Sequence, residues 1–86
     1  MKIAELHQGV ENKLEKLKAV AEKYKITPDE IAYIGDDLND LECMQHSGTS
    51  GCPADAVDEV KSVATYVCRH NAGDGAVREF VEWILR

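Results

Sequence analysis

Eighty-six residues, 44% hydrophobic and 30% charged, make one small globular domain or part of one, of a size that is marginal unless well packed or oligomeric. A formal net charge of -6 argues against a nucleic-acid partner, and no apolar run approaches the roughly 20 residues of a membrane span. The opening Met1-Lys2-Ile3-Ala4-Glu5 is too polar for a signal peptide, and Cys43, Cys52 and Cys68 form no CxxC pair, so a reducing, cytoplasmic location is expected.

In chain order, Ile3–Leu6 reads as a short strand broken by Gln8-Gly9. A helix follows from about Val10 to Tyr24, with Val10, Leu14, Leu17, Val20, Ala21 and Tyr24 at a three-and-four spacing and Lys and Glu on the other face. Thr27-Pro28-Asp29-Glu30 carries a capping-box pattern with Pro at N1, but only one turn fits before the compact apolar run Ile31–Ile34. That run reads as a strand buried on both faces. A short helix is expected from about Leu38 to His46, with Gly48 as its C-cap glycine. Thr49–Cys52 is a strand candidate ended by Pro53, and Ala56–Val63 a helix with Val57, Val60 and Val63 or Ala64 on one face. Thr65–Cys68 is a β-branched and aromatic strand, Asn71–Gly75 a loop, and Ala76–Leu85 a final helix burying Val77, Phe80, Val81 and Ile84. The alternation β-α-β-α-β-α-β-α predicts an α/β fold, a mostly parallel sheet with flanking helices, whose ligands sit at the carboxyl ends of the strands.

Gly35-Asp36-Asp37-Leu38-Asn39-Asp40 stands at one such end. Three carboxylates within five residues repel one another and resist desolvation unless something positive compensates them. A hard divalent cation such as Mg2+ does so with oxygen ligands. The same residues also suit a solvated loop that caps the next helix, and Asp37 and Asn39 fit either role. Lys13, on a Lys- and Glu-rich helix, is by composition one more surface lysine. His7, His46 and His70 are scattered singly and read as surface or packing histidines. Gly73-Asp74-Gly75 suits a turn and an N-terminal cap, Arg78 and Glu79 an ion pair, and Trp83 an edge or interface position.

Several stretches together resemble the haloacid dehalogenase superfamily of phosphatases, within it the capless branch of 3-deoxy-manno-octulosonate 8-phosphate phosphatases. That branch includes the phosphatase-like domain fused to some acylneuraminate cytidylyltransferases. Glu5–Leu14 resembles the strand, turn and helix start that bear the family's motif-three lysine, and Tyr33–Leu41 its fourth, acidic motif. Ala54–Val60 and Gly73–Glu79 resemble its C-terminal segments. The resemblance implies a partial Rossmann-like fold and a cytosolic Mg2+-dependent phosphomonoesterase acting on a phosphorylated sugar acid through an aspartyl-phosphate. It gives Asp36 the role of a direct Mg2+ ligand and Asp37 that of a supporting or water-mediated one. Asp40 would orient Lys13, and Lys13 would neutralise the nucleophile and the transferring phosphoryl group. A receiver-like signalling domain also clusters acids with a lysine, but its lysine comes last, whereas Lys13 precedes the acids here.

The family's nucleophilic Asp-x-Asp and its Ser/Thr motif lie upstream of the motif-three lysine, whereas none of the twelve residues before Lys13 is Asp. The expectation is therefore a truncated chain, residues 1–86 being the C-terminal portion of a single such domain and inactive alone. In the family the strand before the motif-three helix is not beside the strand with the acidic motif. Either Ile3–Leu6 moves in to cover the edge of Ile31–Ile34, or a second chain or the missing N-terminal half does so. A homo-oligomer is expected, as family members are commonly tetramers, and a catalytically inactive oligomerisation or regulatory module is the alternative to an enzyme.

Overall fold

The computed structural model describes residues 2–4 and 12–86. Four parallel strands form one sheet in sequence order: β1 (Lys2–Ala4), β2 (Ile31–Ile34), β3 (Thr49–Cys52) and β4 (Tyr66–Val67). The chain crosses between them through α1 (Lys13–Lys23), α2 (Leu41–His46) and α3 (Asp58–Val63), and α4 (Ala76–Leu85) closes the domain. The expected α/β architecture is thus observed. Of the three expected ways to cover the edge of β2, the chain uses its own first strand, with Lys2 opposite Ile31 and Ala4 opposite Tyr33. The remainder of the expected first strand to Leu6, the Gln8-Gly9 break, His7 and the Val10 helix start lie outside the described residues.

All four residues of β2 are buried, because successive side chains point to opposite faces and both faces are covered. Ile31 and Tyr33 join Leu17 and Ala21 of α1, Cys43 and Met44 of α2, and Val60 of α3 in one core. Ala32 and Ile34 join Cys68, Ala76 and Phe80 in a second core under α4. Fully burying a side chain such as Leu17, Ile31 or Phe80 contributes about 1.5–3 kcal/mol each. The result is three layers: α1, α2 and α3, then the sheet, then α4.

Helix α4 has its expected bounds, but the other three helices are shorter than the apolar spacing predicts, and the causes are local. Asn12 caps α1 by accepting from the Glu15 N–H at 3.1 Å. At the other end Ile26 donates to the Ala21 carbonyl and Lys25 to that of Glu22, a Schellman pattern that sets Lys25 at a φ of 57°. Thr27-Pro28-Asp29-Glu30 forms the expected single turn, a 3-10 turn over Pro28–Glu30, with Glu30 accepting from the Thr27 N–H and hydroxyl. The segment expected as one helix from Leu38 to His46 splits into a 3-10 turn (Leu38–Asp40) and α2. Gly48 is not a left-handed cap. Helix α2 ends on an extended Ser47, and Gly48 donates to the Ile31 carbonyl where any Cβ would collide with the Asp29 carbonyl. Val57, Val63 and Val77, expected inside, are exposed, since Val60 alone of α3 and Ala76 and Phe80 of α4 reach full burial.

Candidate active site at the carboxyl end of β2

Lys13 is the first residue of α1 and lies on one helical stripe with Leu17 and Ala21, the residues buried on that helix. That stripe carries the lysine inward, so its side chain is only 3% exposed. An ammonium at a helix N-terminus opposes the helix dipole, and a buried one needs a counter-charge. Asp40 provides it: Lys13 Nζ donates to Asp40 Oδ1 at 2.9 Å, and Asp40 is itself 2% exposed. Asn39 Oδ1 accepts from the same ammonium at 3.2 Å.

Asp40 gathers three further donors. The Tyr33 hydroxyl donates to Oδ1 at 2.6 Å, and the Asp36 and Asp37 N–H groups donate to Oδ2 at 3.0 and 3.2 Å. Gly35 makes the last two possible, because a Cβ there would lie 2.5 Å from the Asp40 Cβ. Burial pushes the Asp40 carboxyl up, yet the bonds from Lys13, Tyr33 and the two N–H groups outweigh it and hold the group below the usual carboxylate range. Burial, followed by the bond to the Asp40 carboxylate, drives the Tyr33 phenol far above its ordinary value.

Asp36 is half-buried and differently placed. Its carboxyl is pushed up by burial and then by the Asp40 charge, with Lys13 offsetting part of this. Its carboxylate has no side-chain partner among the described residues. A cavity of about 70 Å³ adjoins it, walled by Pro53, Gly73, Ala76 and Val77. Asp37 is exposed, and its carboxylate accepts from the Leu38 N–H at 2.7 Å, so it serves the turn directly. Among the described residues no three His, Cys, Asp or Glu side chains cluster as a complete metal cage. The donor set instead fits a hard ion that keeps most of its waters and takes one or two carboxylates, which is Mg2+ chemistry. Asp36 lines the cavity, whereas Asp37 does not.

The structure therefore brings Lys13 and Asp40 into contact and sets Asp36 and Asp37 beside them. Asn39, which in sequence fits either a site or a capping role, accepts from Lys13, and one partner is not singled out in the sequence. Tyr33 lies inside an apolar run, where its one signal is that a buried phenol needs an acceptor. The C-terminal segment forms a separate polar hub. Glu79 accepts from the Tyr66 hydroxyl at 2.6 Å, from the Arg69 and His70 N–H groups, and pairs with His70 Nδ1 at 2.6 Å. Arg78 pairs with Glu82, and Trp83 stacks on Tyr66 with ring centroids 4.7 Å apart. Asp55 accepts from the Ala72 N–H at 2.8 Å, tying down the loop that walls the cavity beside Asp36.

The chain is thus a parallel α/β sheet with a buried Lys13–Asp40 pair and further acids at the carboxyl end of β2. The family model for haloacid dehalogenase-like hydrolases matches residues 2–80, and the chain belongs to that family. It is 42% identical over 83 residues to the 3-deoxy-D-manno-octulosonate 8-phosphate phosphatase of Escherichia coli K12, covering 96% of this chain and 44% of that protein. It is 38% identical over 76 residues to N-acylneuraminate cytidylyltransferase A of Danio rerio, covering 88% of this chain and 18% of that protein. The 3-deoxy-D-manno-octulosonate 8-phosphate phosphatase of Moraxella catarrhalis, solved with magnesium, phosphate and KDO, superposes with a TM-score of 0.84 at 36% identity, over 91% of this chain and 45% of that one. The chain thus spans less than half the length of these relatives.

Proposed function

We propose that this chain is the lysine- and acid-bearing part of a Mg2+-dependent phosphomonoesterase for a phosphorylated sugar acid of the 3-deoxy-manno-octulosonate 8-phosphate type. The observation that carries this reading is the buried Lys13–Asp40 pair near the Asp36 carboxylate, which has no side-chain hydrogen bond among the described residues, in a chain 42% identical to such a phosphatase. Phosphoryl transfer needs positive charge around the phosphoryl oxygens more than it needs covalent machinery. Mg2+ at Asp36, with Asp37 acting through water, would supply part of that charge. Lys13 would supply the rest, and Asp40, 2.9 Å from its ammonium, fixes it in place.

No Asp-x-Asp occurs among the 86 residues. The reading therefore requires an aspartyl nucleophile from a segment additional to these residues, with residues 1–86 forming the C-terminal portion of one domain. The test is phosphate release from 3-deoxy-manno-octulosonate 8-phosphate, with Mg2+ or with EDTA. The chain alone is expected to release none. Mixed with a separately expressed segment of a related phosphatase that bears Asp-x-Asp, it is expected to show turnover that EDTA abolishes. Turnover by the chain alone would overturn the missing-nucleophile part of the reading. The match to a cytidylyltransferase supports a second reading, a catalytically silent oligomerisation or regulatory module. Absence of turnover in the mixture, with a stable tetramer in sedimentation, would favour it.

A further inference from the structure

We infer that Tyr33 is a positioning residue of this site: its hydroxyl fixes the Asp40 carboxylate and, through it, the Lys13 ammonium. The inference rests on the reading that Lys13 serves the phosphoryl group. Its starting point is that Tyr33 is fully buried in a strand whose other residues are Ile31, Ala32 and Ile34. Packing alone would be met by a phenylalanine, which buries the same ring without a polar atom to satisfy. The hydroxyl instead makes a 2.6 Å bond to Asp40 Oδ1, the oxygen that also accepts from Lys13.

The geometry gives that bond a task. The two oxygens of the planar Asp40 carboxylate turn together about the broad Asp χ2 torsion, and they are held from opposite ends, Oδ2 by the Asp36 and Asp37 N–H groups at 3.0 and 3.2 Å and Oδ1 by the Tyr33 hydroxyl at 2.6 Å. The rigid Tyr33 ring, anchored in β2, pins Oδ1 from the sheet side. A long, flexible lysine then meets a fixed acceptor rather than a moving one. Sharing Oδ1 has a second consequence. Part of the carboxylate's charge is engaged by the hydroxyl, and Asn39, the other acceptor on Lys13 among the described residues, is neutral. Of the three ammonium protons, Asp40 and Asn39 take two among the described residues, and the third can meet an incoming phosphoryl oxygen.

Lysine-selective 15N NMR of the 86-residue chain tests this without any turnover. A buried, hydrogen-bonded ammonium exchanges slowly with water, so Lys13 should give one protected signal, identified by its loss in Lys13→Met. In Tyr33→Phe, with the amide spectrum of the remaining domain retained, exchange at Lys13 is expected to be at least tenfold faster. Unchanged protection, or no protected lysine in the native chain, would overturn the inference. If Tyr33→Phe fails to fold, 3-fluorotyrosine incorporation keeps the ring and makes the phenol a stronger donor. The Lys13 15N signal should then shift, and an unmoved signal would equally overturn it. Because phosphate release is not the readout, failure of the phosphatase reading and failure of this inference are told apart.

Discussion

Replacing Asp40 by alanine removes the acceptor of four donors at once: the Lys13 ammonium, the Tyr33 hydroxyl and the N–H groups of Asp36 and Asp37. Removing one partner of a buried ion pair costs about 3–5 kcal/mol, because the other charge is stranded. A chain of this length has a total stability of about 4–13 kcal/mol at about 0.05–0.15 kcal/mol per residue, so the variant is expected to lose between about a quarter of its stability and all of it. Lys13→Met should cost less. Asp40 keeps its hydroxyl and two N–H donors, the methionine fills the space of the lysine stem, and the loss is that of one charge-assisted bond, about 1.5–3 kcal/mol. The double variant Lys13→Met/Asp40→Leu strands no charge and should be more stable than Asp40→Ala alone. Urea unfolding at pH 7, followed by far-ultraviolet circular dichroism, measures all three against the native chain. A Lys13→Met cost equal to or above that of Asp40→Ala would refute the view that Asp40 is the centre of the network. So would a double variant as unstable as the sum of the two single replacements.

Other expected outcomes follow from the same contacts. Gly35→Ala would push a Cβ to 2.5 Å from the Asp40 Cβ, and should lower the urea midpoint and shift the Lys13 ammonium signal together. The Glu79 carboxyl is held at about 2, chiefly by the Tyr66 hydroxyl against the opposing effect of burial, with further help from His70 and the Arg69 N–H. Because this lies below its ordinary value of 4.5, its contribution to stability is complete above about pH 4.5 and is lost as the pH falls towards 2. Glu79→Gln should flatten that part of the stability profile, and a variant with an unchanged acid limb would contradict the assignment. Burial, then the charge of Glu79, pushes the Cys68 thiol up to about 11, and burial raises Cys43 and Cys52 as well. No thiol should react rapidly with Ellman's reagent at pH 8 until urea is added, whereupon all three should react.

The order of elements was legible because Ile31–Ile34 and Ala76–Leu85 announce themselves by hydrophobic pattern alone, and both lie where the pattern sets them. Boundaries were less legible where tertiary contact decides them. Gly48 looks like a cap in sequence, but the glycine is required by the close passage of Asp29, which no local pattern records. Val57, Val63 and Val77 fit an inward face by spacing, yet short helices on a small sheet leave that face only partly covered. For the site, composition alone made Lys13 a surface lysine, and only the family resemblance paired it with Asp40, 27 positions away. Spacing alone does not separate Asp36 from Asp37, and only the resemblance gives them different roles. The fold separates them further, turning the Asp37 carboxylate to the Leu38 N–H and giving that of Asp36 no side-chain hydrogen bond among the described residues. Tyr33 was read as core, which it is, but a period-two pattern cannot show that its hydroxyl reaches Asp40.

The site is tested most directly by adding Mn2+, as a relaxing stand-in for Mg2+, to the 15N-labelled chain and to its Asp36→Asn variant. In the native chain, broadening should centre on the amides of residues 35–37 and spread to those of residues 72–77, and excess Mg2+ should reverse it. The variant should show no such focus. Broadening scattered over the acidic surface, or unchanged by Asp36→Asn, would contradict a divalent-cation site at the carboxyl end of β2.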